Sequence, residues 1–247
     1  MRALLLATLM SATALPALAF DPAAMSEAEK EAFGQAVRAY LLENPEVLQE
    51  VVSELESRQQ AQQASSDTEM VQTYADALFN DPNSWVSGNP EGDLVLVEFM
   101  DYRCGYCRKA YDEVEELISS DGNIRFVVKE YPILGEESEL SARFAIAVRQ
   151  IAGDKAYEAA HDALITFRGD VTPDSLARLA NDLGVDAKAV LARMTAPEVE
   201  AVIAANHALG QQMQISGTPT FVVGGQMLRG YVPLDGMRQI VSEERGG

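Results

Sequence analysis

The chain of 247 residues contains two cysteines, Cys104 and Cys107, which are separated by Gly105 and Tyr106. A disulfide between them closes a loop of four residues. The chain-entropy estimate for such a loop is about 2 kcal/mol, against about 4.7 kcal/mol for a loop of 100 residues. A bridge in this place adds little stability, so the sequence favours a reactive pair over a structural one.

The segments on either side of the cysteines predict a strand, a helix and a second strand. An apolar run from Leu94 to Met100 is typical of a buried strand, a helical pattern continues to about Ser119, and a second strand is predicted from Ile124 to Glu130. In such a βαβ unit, a C-x-x-C sequence indicates a redox motif. Free N–H groups and the dipole at the helix start stabilise the first thiol as a thiolate, and the second thiol can resolve a mixed disulfide.

The remainder of the C-terminal region predicts helices followed by a hairpin. Residues from about 136 to 213 are rich in Ala and Leu at helical spacing, which predicts an insertion of four or five helices. Strands at 221–223 and 226–229 flank the Gly224-Gly225 turn, and a last helix runs from about Pro233 to Glu243. The chain is therefore predicted to be an α/β protein.

The N-terminal region is polar and helical in pattern. Ser26 and Glu29 form a capping box, and Asn44-Pro45 predicts the start of a second helix that runs towards Gln63. The stretch 59–66 is interpreted as a helix end passing into a linker, followed by a further helix at about 68–79. Side chains four and three apart form what we call the N-terminal seam: Val37, Leu41, Asn44, Leu48, Val51 and Leu55. This spacing is compatible both with an oligomer interface and with a helix pair that folds back on its own domain.

The first residues have the three-part pattern of a signal peptide. Arg2 is followed by an apolar run to about Leu15 and by Ala17-Leu18-Ala19, a pattern that signal peptidase recognises. The apolar run is too short to span a bilayer, which needs about 20 residues. We therefore predict a signal peptide at 1–19 that is cleaved near Ala19, a helical region at 20–66 and a catalytic domain at 67–247.

Composition and ligand types narrow the functions. The formal net charge of −19 argues against binding to nucleic acid or to anionic lipid. Zinc needs four ligands. Besides the two thiols, the sequence offers only His161 and His207 as candidate ligands, and both lie in the predicted insertion. Covalent haem needs a His directly after the second cysteine, where Arg108 stands. No metal or cofactor is expected, although two thiolates could capture cuprous ion.

Two segments carry a resemblance that covers the chain from about residue 80 to its C-terminus. Residues 99–108, Phe-Met-Asp-Tyr-Arg-Cys-Gly-Tyr-Cys-Arg, and residues 217–221, Gly-Thr-Pro-Thr-Phe, resemble the DsbA-like family of periplasmic thiol–disulfide oxidoreductases. The resemblance implies a thioredoxin-like fold with a helical insertion and a periplasmic location. It also implies that exported proteins with thiols or disulfides are the substrates.

The same resemblance assigns roles to single residues. Cys104 is implied to be the nucleophile and Cys107 the resolving thiol of a redox-active disulfide. Thr218 and Pro219 are implied to form a cis-proline loop that binds substrate, together with Gly105 and Tyr106 between the cysteines. Glu98 matches a buried acid that relays protons from the resolving thiol, with Lys129 as its charge partner; a solvent-facing Glu98 is the alternative.

A second resemblance lies in the N-terminal region. Residues 40–48, Tyr-Leu-Leu-Glu-Asn-Pro-Glu-Val-Leu, are similar to the N-terminal region of ScsC-type proteins, in which a stalk makes some members trimeric and favours isomerase activity. Other members lack a working stalk and act as oxidases. A homotrimeric isomerase or reductase implies a DsbD- or ScsB-like membrane partner, and an oxidase implies a DsbB-like one. A copper-binding protein is the third hypothesis.

Overall fold

The computed structural model describes residues 25–246. The signal peptide predicted at 1–19 therefore lies outside the described residues. In this part of the chain the helices are α1 (Glu27–Glu43), α2 (Glu46–Thr73), α3 (Ala75–Phe79), α4 (Gly105–Asp121), α5 (Glu136–Ala152), α6 (Asp154–Thr166), α7 (Pro173–Asp182), α8 (Ala187–Arg193), α9 (Pro197–Gln212) and α10 (Leu234–Glu244). The strands are β1 (Trp85–Gly88), β2 (Leu94–Met100), β3 (Ile124–Glu130), β4 (Thr220–Val223) and β5 (Gln226–Arg229).

The five strands form one mixed sheet in the order β1-β3-β2-β4-β5. β2 and β3 run parallel and are joined through α4, while the other three pairings are antiparallel. This arrangement confirms the predicted βαβ unit and the predicted C-terminal hairpin. β1 was not predicted from the sequence, because its four residues contain one Gly and lie between two turns.

The two faces of the sheet carry separate clusters of buried side chains. Even-numbered residues of β2 and β3, such as Leu96 and Phe126, belong to a cluster that also contains Cys107 and residues of α4, α5 and α6. Odd-numbered residues, such as Val97 and Val127, pack with Val71 and residues of α9. The alternation follows from the period of two in a strand, and it decides which strand side chains can reach the cysteines.

Five helices, α5 to α9, lie between β3 and β4, as predicted for the insertion. Their starts follow from local sequence: Thr172 and Ser175 form a reciprocal capping box with Pro173 at the first turn of α7, and Pro197 begins α9. Tyr157 and His161 of α6 and Asn206 of α9 are buried against the sheet. The insertion thus supplies polar side chains to the interior as well as apolar ones.

The chain divides into two compact units, residues 1–59 and 60–247. In the described part of the first unit, the capping box of Ser26 and Glu29 is confirmed, and α1 contains no buried residue. Contrary to our prediction, Asn44 does not start α2. Its side chain donates to the Tyr40 carbonyl and caps the end of α1. Leu48, Val51 and Leu55 of the N-terminal seam are more than half exposed.

The predicted linker at 59–66 is wrong, because α2 continues without a break to Thr73. The stretch is rich in Gln and Ala, contains no Gly or Pro, and needs no apolar period to stay helical on an exposed surface. The end of α2 belongs to the second unit, where Val71 is buried and Asp67 forms an ion pair with Arg229 (2.7 Å). Within residues 25–246, no helix is both long and apolar enough to cross a membrane.

Candidate active site

A buried aspartate builds the turn that presents the cysteines. Asp101 follows β2, and its Oδ1 accepts the N–H of Arg103 (2.8 Å), while its Oδ2 accepts the N–H groups of Ile133 (2.8 Å) and Leu134 (3.1 Å). The carbonyl of Asp101 accepts the N–H of Cys104 (3.0 Å). The turn is therefore fixed to the segment after β3, and it delivers Cys104 to the N-cap position of α4, as predicted.

Both thiols are free, and the two differ sharply in acidity. A hydrogen bond from the Cys107 thiol lowers the pKa of Cys104 to about 5; burial of the sulfur opposes this, while Thr218 and the backbone N–H groups of Cys107 and Tyr106 add to it. Burial raises the pKa of Cys107 far above its usual range, and its hydrogen bond to Cys104 adds to this. At neutral pH, Cys104 is the thiolate and Cys107 remains protonated.

Both cysteines have little exposed surface. Cys104 is only 6% exposed, and Cys107 is 2% exposed. The covering segment is the loop before β4, where the Thr218–Pro219 peptide bond is cis, as the resemblance implies. The Sγ of Cys104 lies 3.1 Å from the Thr218 carbonyl oxygen. The structure thus brings together three of the predicted site residues, Cys104, Cys107 and Thr218, across 114 positions of sequence.

Glu98 lies on the sheet face that packs against α4. It pairs in register with Val128 and is 7% exposed, so the alternative of a solvent-facing Glu98 is wrong. Burial raises the pKa of Glu98 to about 8, and the negative charge at Cys104 adds to this. In turn, the charge of Glu98 contributes to the raised pKa of Cys107. The charge of Glu98 thus opposes ionisation of the Cys107 thiol.

Lys129 is not the charge partner of Glu98, contrary to our prediction. Lys129 pairs in register with Phe99, one residue out of phase with Glu98, so its side chain points to the opposite face of the sheet. There its Nζ donates to the carbonyl of Ala77 (2.7 Å) and to Oδ2 of Asp81 (2.8 Å). Among residues 25–246, no cation therefore lowers the pKa of Glu98.

A second buried acid, Glu130, was missed by the sequence analysis. It ends β3, its carboxyl group accepts hydrogen bonds from Tyr102 and Tyr157, and Tyr102 also contacts His161. The sequence offered one signal, since Glu130 has the same strand parity as the apolar Phe126 and Val128. The two partners of its carboxyl group come from the turn after β2 and from α6, and no spacing in the sequence brings them together.

Aromatic and apolar side chains surround the cysteine turn on the surface. Tyr106, between the cysteines, is 63% exposed and stacks on Tyr231 with a centroid distance of 6.3 Å. The Nζ of Lys109 lies 4.0 Å from the centroid of the Tyr231 ring. Leu134, in the loop held by Asp101, is also exposed. Exposed aromatic groups of this kind are common where proteins bind extended peptide segments.

Two family models match the chain. Residues 95–242 match the model described as "DSBA-like thioredoxin domain", and residues 29–62 match "Copper resistance protein ScsC N-terminal domain". The first match contains the cysteines, the helical insertion and the cis-proline loop. The second contains most of α1 and the first part of α2, including the N-terminal seam.

Solved structures give the same result. A thioredoxin-like oxidoreductase from Silicibacter pomeroyi is 44% identical, with a TM-score of 0.65 over 70% of this chain and 98% of that one. A linker-deletion mutant of Proteus mirabilis ScsC is 26% identical, with a TM-score of 0.67 over 92% of this chain and 99% of that one.

The first curated relatives are longer proteins. A Na⁺/H⁺ antiporter, NhaA 1 of Salinispora arenicola, is 28% identical over 163 residues, which are 66% of this chain and 25% of that protein. The chain thus spans about a quarter of the length of the first curated relatives it matches. Because a DsbA-like domain model matches more than half of the chain, the chain belongs to the DsbA-like thioredoxin family, and its N-terminal region is similar to that of ScsC.

Proposed function

We propose that the chain is a periplasmic disulfide isomerase or reductase that acts on exported proteins and assembles as a homotrimer through its N-terminal region. The observation that carries this proposal is the N-terminal seam, whose Leu48, Val51 and Leu55 are more than half exposed although they are apolar. Regularly spaced exposed apolar residues on a helix favour association with other helices. The acidic composition disfavours anionic lipid and nucleic acid as partners. We therefore propose that helices of other subunits cover these apolar residues.

The roles proposed for the cysteines follow from their acidity. Cys104, as the thiolate, attacks a substrate disulfide, forms a mixed disulfide with one sulfur and releases the other as a thiolate. In resolution, Cys107 loses its proton and attacks the Sγ of Cys104. The bond between Cys104 and the substrate breaks, the substrate leaves as a thiolate, and the Cys104–Cys107 disulfide forms. Two electrons have then passed to the substrate; in isomerisation, the substrate's own thiol displaces Cys104 instead, with no net transfer.

Substrate binding is proposed for the residues around the cysteine turn. The backbone of Thr218 and Pro219 pairs with an extended substrate segment beside Cys104, and Gly105, which leaves open space at its Cα, lets that segment approach closely. Tyr106 offers an exposed aromatic face to substrate side chains. The proposal is supported by the 3.1 Å contact between Cys104 Sγ and the Thr218 carbonyl, which places this loop directly at the reacting sulfur.

Glu98 is proposed to accept the proton of Cys107. With a pKa of about 8, its carboxyl group is mostly protonated at neutral pH and becomes the required base as the pH rises. The resolving step is therefore expected to accelerate with pH up to about 8 and to level off above it. Stability changes in the opposite direction: the folded state binds this proton more tightly than the unfolded state, so the contribution of Glu98 falls as the pH rises from about 4.5 to 8.

Replacing Glu98 with Gln is expected to slow resolution roughly 10²-fold, the usual contribution of a positioned base, and to leave the first attack by Cys104 nearly unchanged. The two steps can be separated in stopped-flow experiments with a preformed mixed disulfide and with a fresh substrate disulfide. The pH dependence of resolution should disappear in this variant.

Glu116→Gln is the matched control, since Glu116 is an exposed carboxylate of the same helix as Cys107 and pairs with Arg238. This variant should behave like the unmodified chain in both steps. An unchanged resolution rate in Glu98→Gln would remove Glu98 from the mechanism.

An oxidase that donates its disulfide to folding proteins is the second candidate. The lowered pKa of Cys104 favours it, because a stable thiolate stabilises the reduced form and makes the disulfide more oxidising. Location in the periplasm and a membrane redox partner are common to both proposals. For the isomerase that partner is a DsbD- or ScsB-like reductant, and for the oxidase it is a DsbB-like oxidant.

The redox state of the cysteine pair in living cells tests the proposed direction. Cells that express the full chain are quenched with acid, their free thiols are alkylated, and the mass shift of the chain is read on a gel. We expect a predominantly reduced pair, since an isomerase must attack with a free thiolate. A predominantly oxidised pair would establish the oxidase instead.

A further inference from the structure

A second buried carboxyl group, that of Glu130, has hydrogen bonds on one of its oxygens only. Its Oε1 accepts the hydroxyls of Tyr102 (2.7 Å) and Tyr157 (2.6 Å). Its Oε2 is buried and has no partner within residues 25–246. A buried polar atom without a partner costs free energy, so apolar side chains would serve folding better at this position. Glu130 therefore needs an explanation other than stability.

The hydrogen bonds around Glu130 run in one direction. Tyr102 has one hydroxyl hydrogen, which it donates to Glu130, so the 3.0 Å contact between its oxygen and Nδ1 of His161 requires Nδ1 to carry a hydrogen. Burial lowers the pKa of His161 to about 4, which leaves the imidazole neutral and consistent with this tautomer. A chain of donors from His161 through Tyr102 thus ends on Oε1 of Glu130.

Tyr102 connects this chain of hydrogen bonds to the cysteine turn. Its side chain is buried, and its own carbonyl accepts Nε of Arg108 (2.7 Å), which lies in the first turn of α4. The neighbouring carbonyl, that of Asp101, accepts the N–H of Cys104. A displacement of Tyr102 would therefore move the backbone on both sides of the reactive sulfur.

We propose that Glu130 is a positioning residue for thiol exchange, which holds Tyr102 and, through Tyr102, the turn that places Cys104 at the start of α4. Glu130 touches no reacting atom. The proposal deepens the function proposed above and rests on Cys104 being the ionised thiol. The Cys104 thiolate depends on hydrogen bonds from the Cys107 thiol and from the backbone N–H groups of Cys107 and Tyr106. Hydrogen bonds weaken steeply with misalignment, so a looser turn would weaken these contacts.

Electrostatics alone predicts no effect of Glu130 on Cys104, and this makes the proposal testable. The titratable groups that act on Glu130 are the hydroxyls of Tyr102 and Tyr157 and the carboxyl group of Asp101, and Glu130 in turn acts on Glu98. Burial raises the pKa of Glu130 to about 8, so its carboxyl group is neutral at the pH where Cys104 ionises, and replacing it removes no charge and leaves the pKa of Cys104 unchanged. Loss of positioning would instead raise this pKa.

The experiment is a pH titration of the Cys104 thiolate by its ultraviolet absorbance in the reduced full chain. Glu130→Leu and Tyr102→Phe should each raise the pKa of Cys104 by about one unit. The double variant should show no further increase, since both changes break the same link. Glu130→Gln should stay close to the unmodified chain, because the amide oxygen can still accept the two hydroxyls.

Tyr157→Phe is the matched control: Tyr157 donates to the same oxygen but lies in α6, away from the turn. It should leave the Cys104 titration unchanged. Four results would each overturn the proposal. The first two are additive shifts in the double variant and a lowered pKa of Cys104 in Glu130→Leu. The other two are equal shifts in Glu130→Gln and Glu130→Leu, and a shift in Tyr157→Phe as large as in Tyr102→Phe. Tyr102→Phe and Glu130→Gln change the fewest atoms. If Glu130→Leu does not fold, these two variants still test the proposal. The proposed function fails separately, if Cys104→Ser keeps the low-pH titration.

Discussion

A chain in which Ser replaces Cys104 is expected to lose thiol–disulfide exchange down to the uncatalysed rate. A hydroxyl group is not ionised at the pH where the Cys104 thiolate forms, and a mixed disulfide needs a sulfur at this position. Cys107 cannot substitute, because its pKa is raised far above the physiological range and its side chain is 2% exposed. The chain has no other cysteine. Reduction of a model disulfide and refolding of a scrambled substrate both measure this loss.

Cys107→Ser is the matched variant, with the same chemical change one helical turn away. Cys104 remains in place, so the first attack should proceed, but no thiol of the chain can resolve the product. Mixed disulfides with substrate should therefore accumulate and appear as higher bands on a non-reducing gel. The assigned roles would be wrong if the two serine variants kept equal residual activity, or if the mixed disulfides accumulated in Cys104→Ser instead.

Much of the fold could be predicted because local signals coincide with tertiary structure. β3 begins and ends at the predicted residues, Ile124 and Glu130, since a turn precedes it and Phe126 to Val128 form an apolar run. The linker predicted at 59–66 failed for the converse reason. A lack of apolar residues indicates exposure, but it does not indicate a break in a helix that contains no Gly or Pro.

The site residues that belong to a sequence motif could be predicted. The contacts that depend on the register between strands could not. The cysteines and Thr218-Pro219 form recognisable motifs, and the structure brings them to within 3.1 Å. The partner of Lys129 depends on the register between β2 and β3, and a shift of one residue decides whether Glu98 or Asp81 is within reach. The surroundings of Glu130 depend in addition on helices that lie far from β3 in the sequence.

Charged residues placed in the N-terminal seam are expected to convert the proposed oligomer into monomers without unfolding the second unit, residues 60–247. Leu48 and Leu55 are suitable positions, because both are more than half exposed and neither is part of the buried clusters. Burying one leucine is worth about 1.5–3 kcal/mol, and both leucines recur in every subunit. The Leu48→Glu/Leu55→Glu chain should therefore be monomeric at micromolar concentration. Light scattering measures this change.

Activity assays distinguish the role of the N-terminal seam from the role of the cysteine turn. The double variant should still oxidise a reduced peptide, because its cysteine turn is unaltered. We expect it to lose isomerisation of a scrambled protein, which the proposal assigns to several active sites held around one substrate. Leu42→Glu is the control, since Leu42 is equally exposed on α1 but lies outside the seam, and it should stay oligomeric and active as an isomerase. Truncation is a less precise test, because a cut beyond residue 59 would enter the second unit and approach Asp67 and Val71. A monomeric unmodified chain, or a monomeric variant with full isomerase activity, would show that the N-terminal seam is not needed for isomerisation. The oxidase would then be the better proposal.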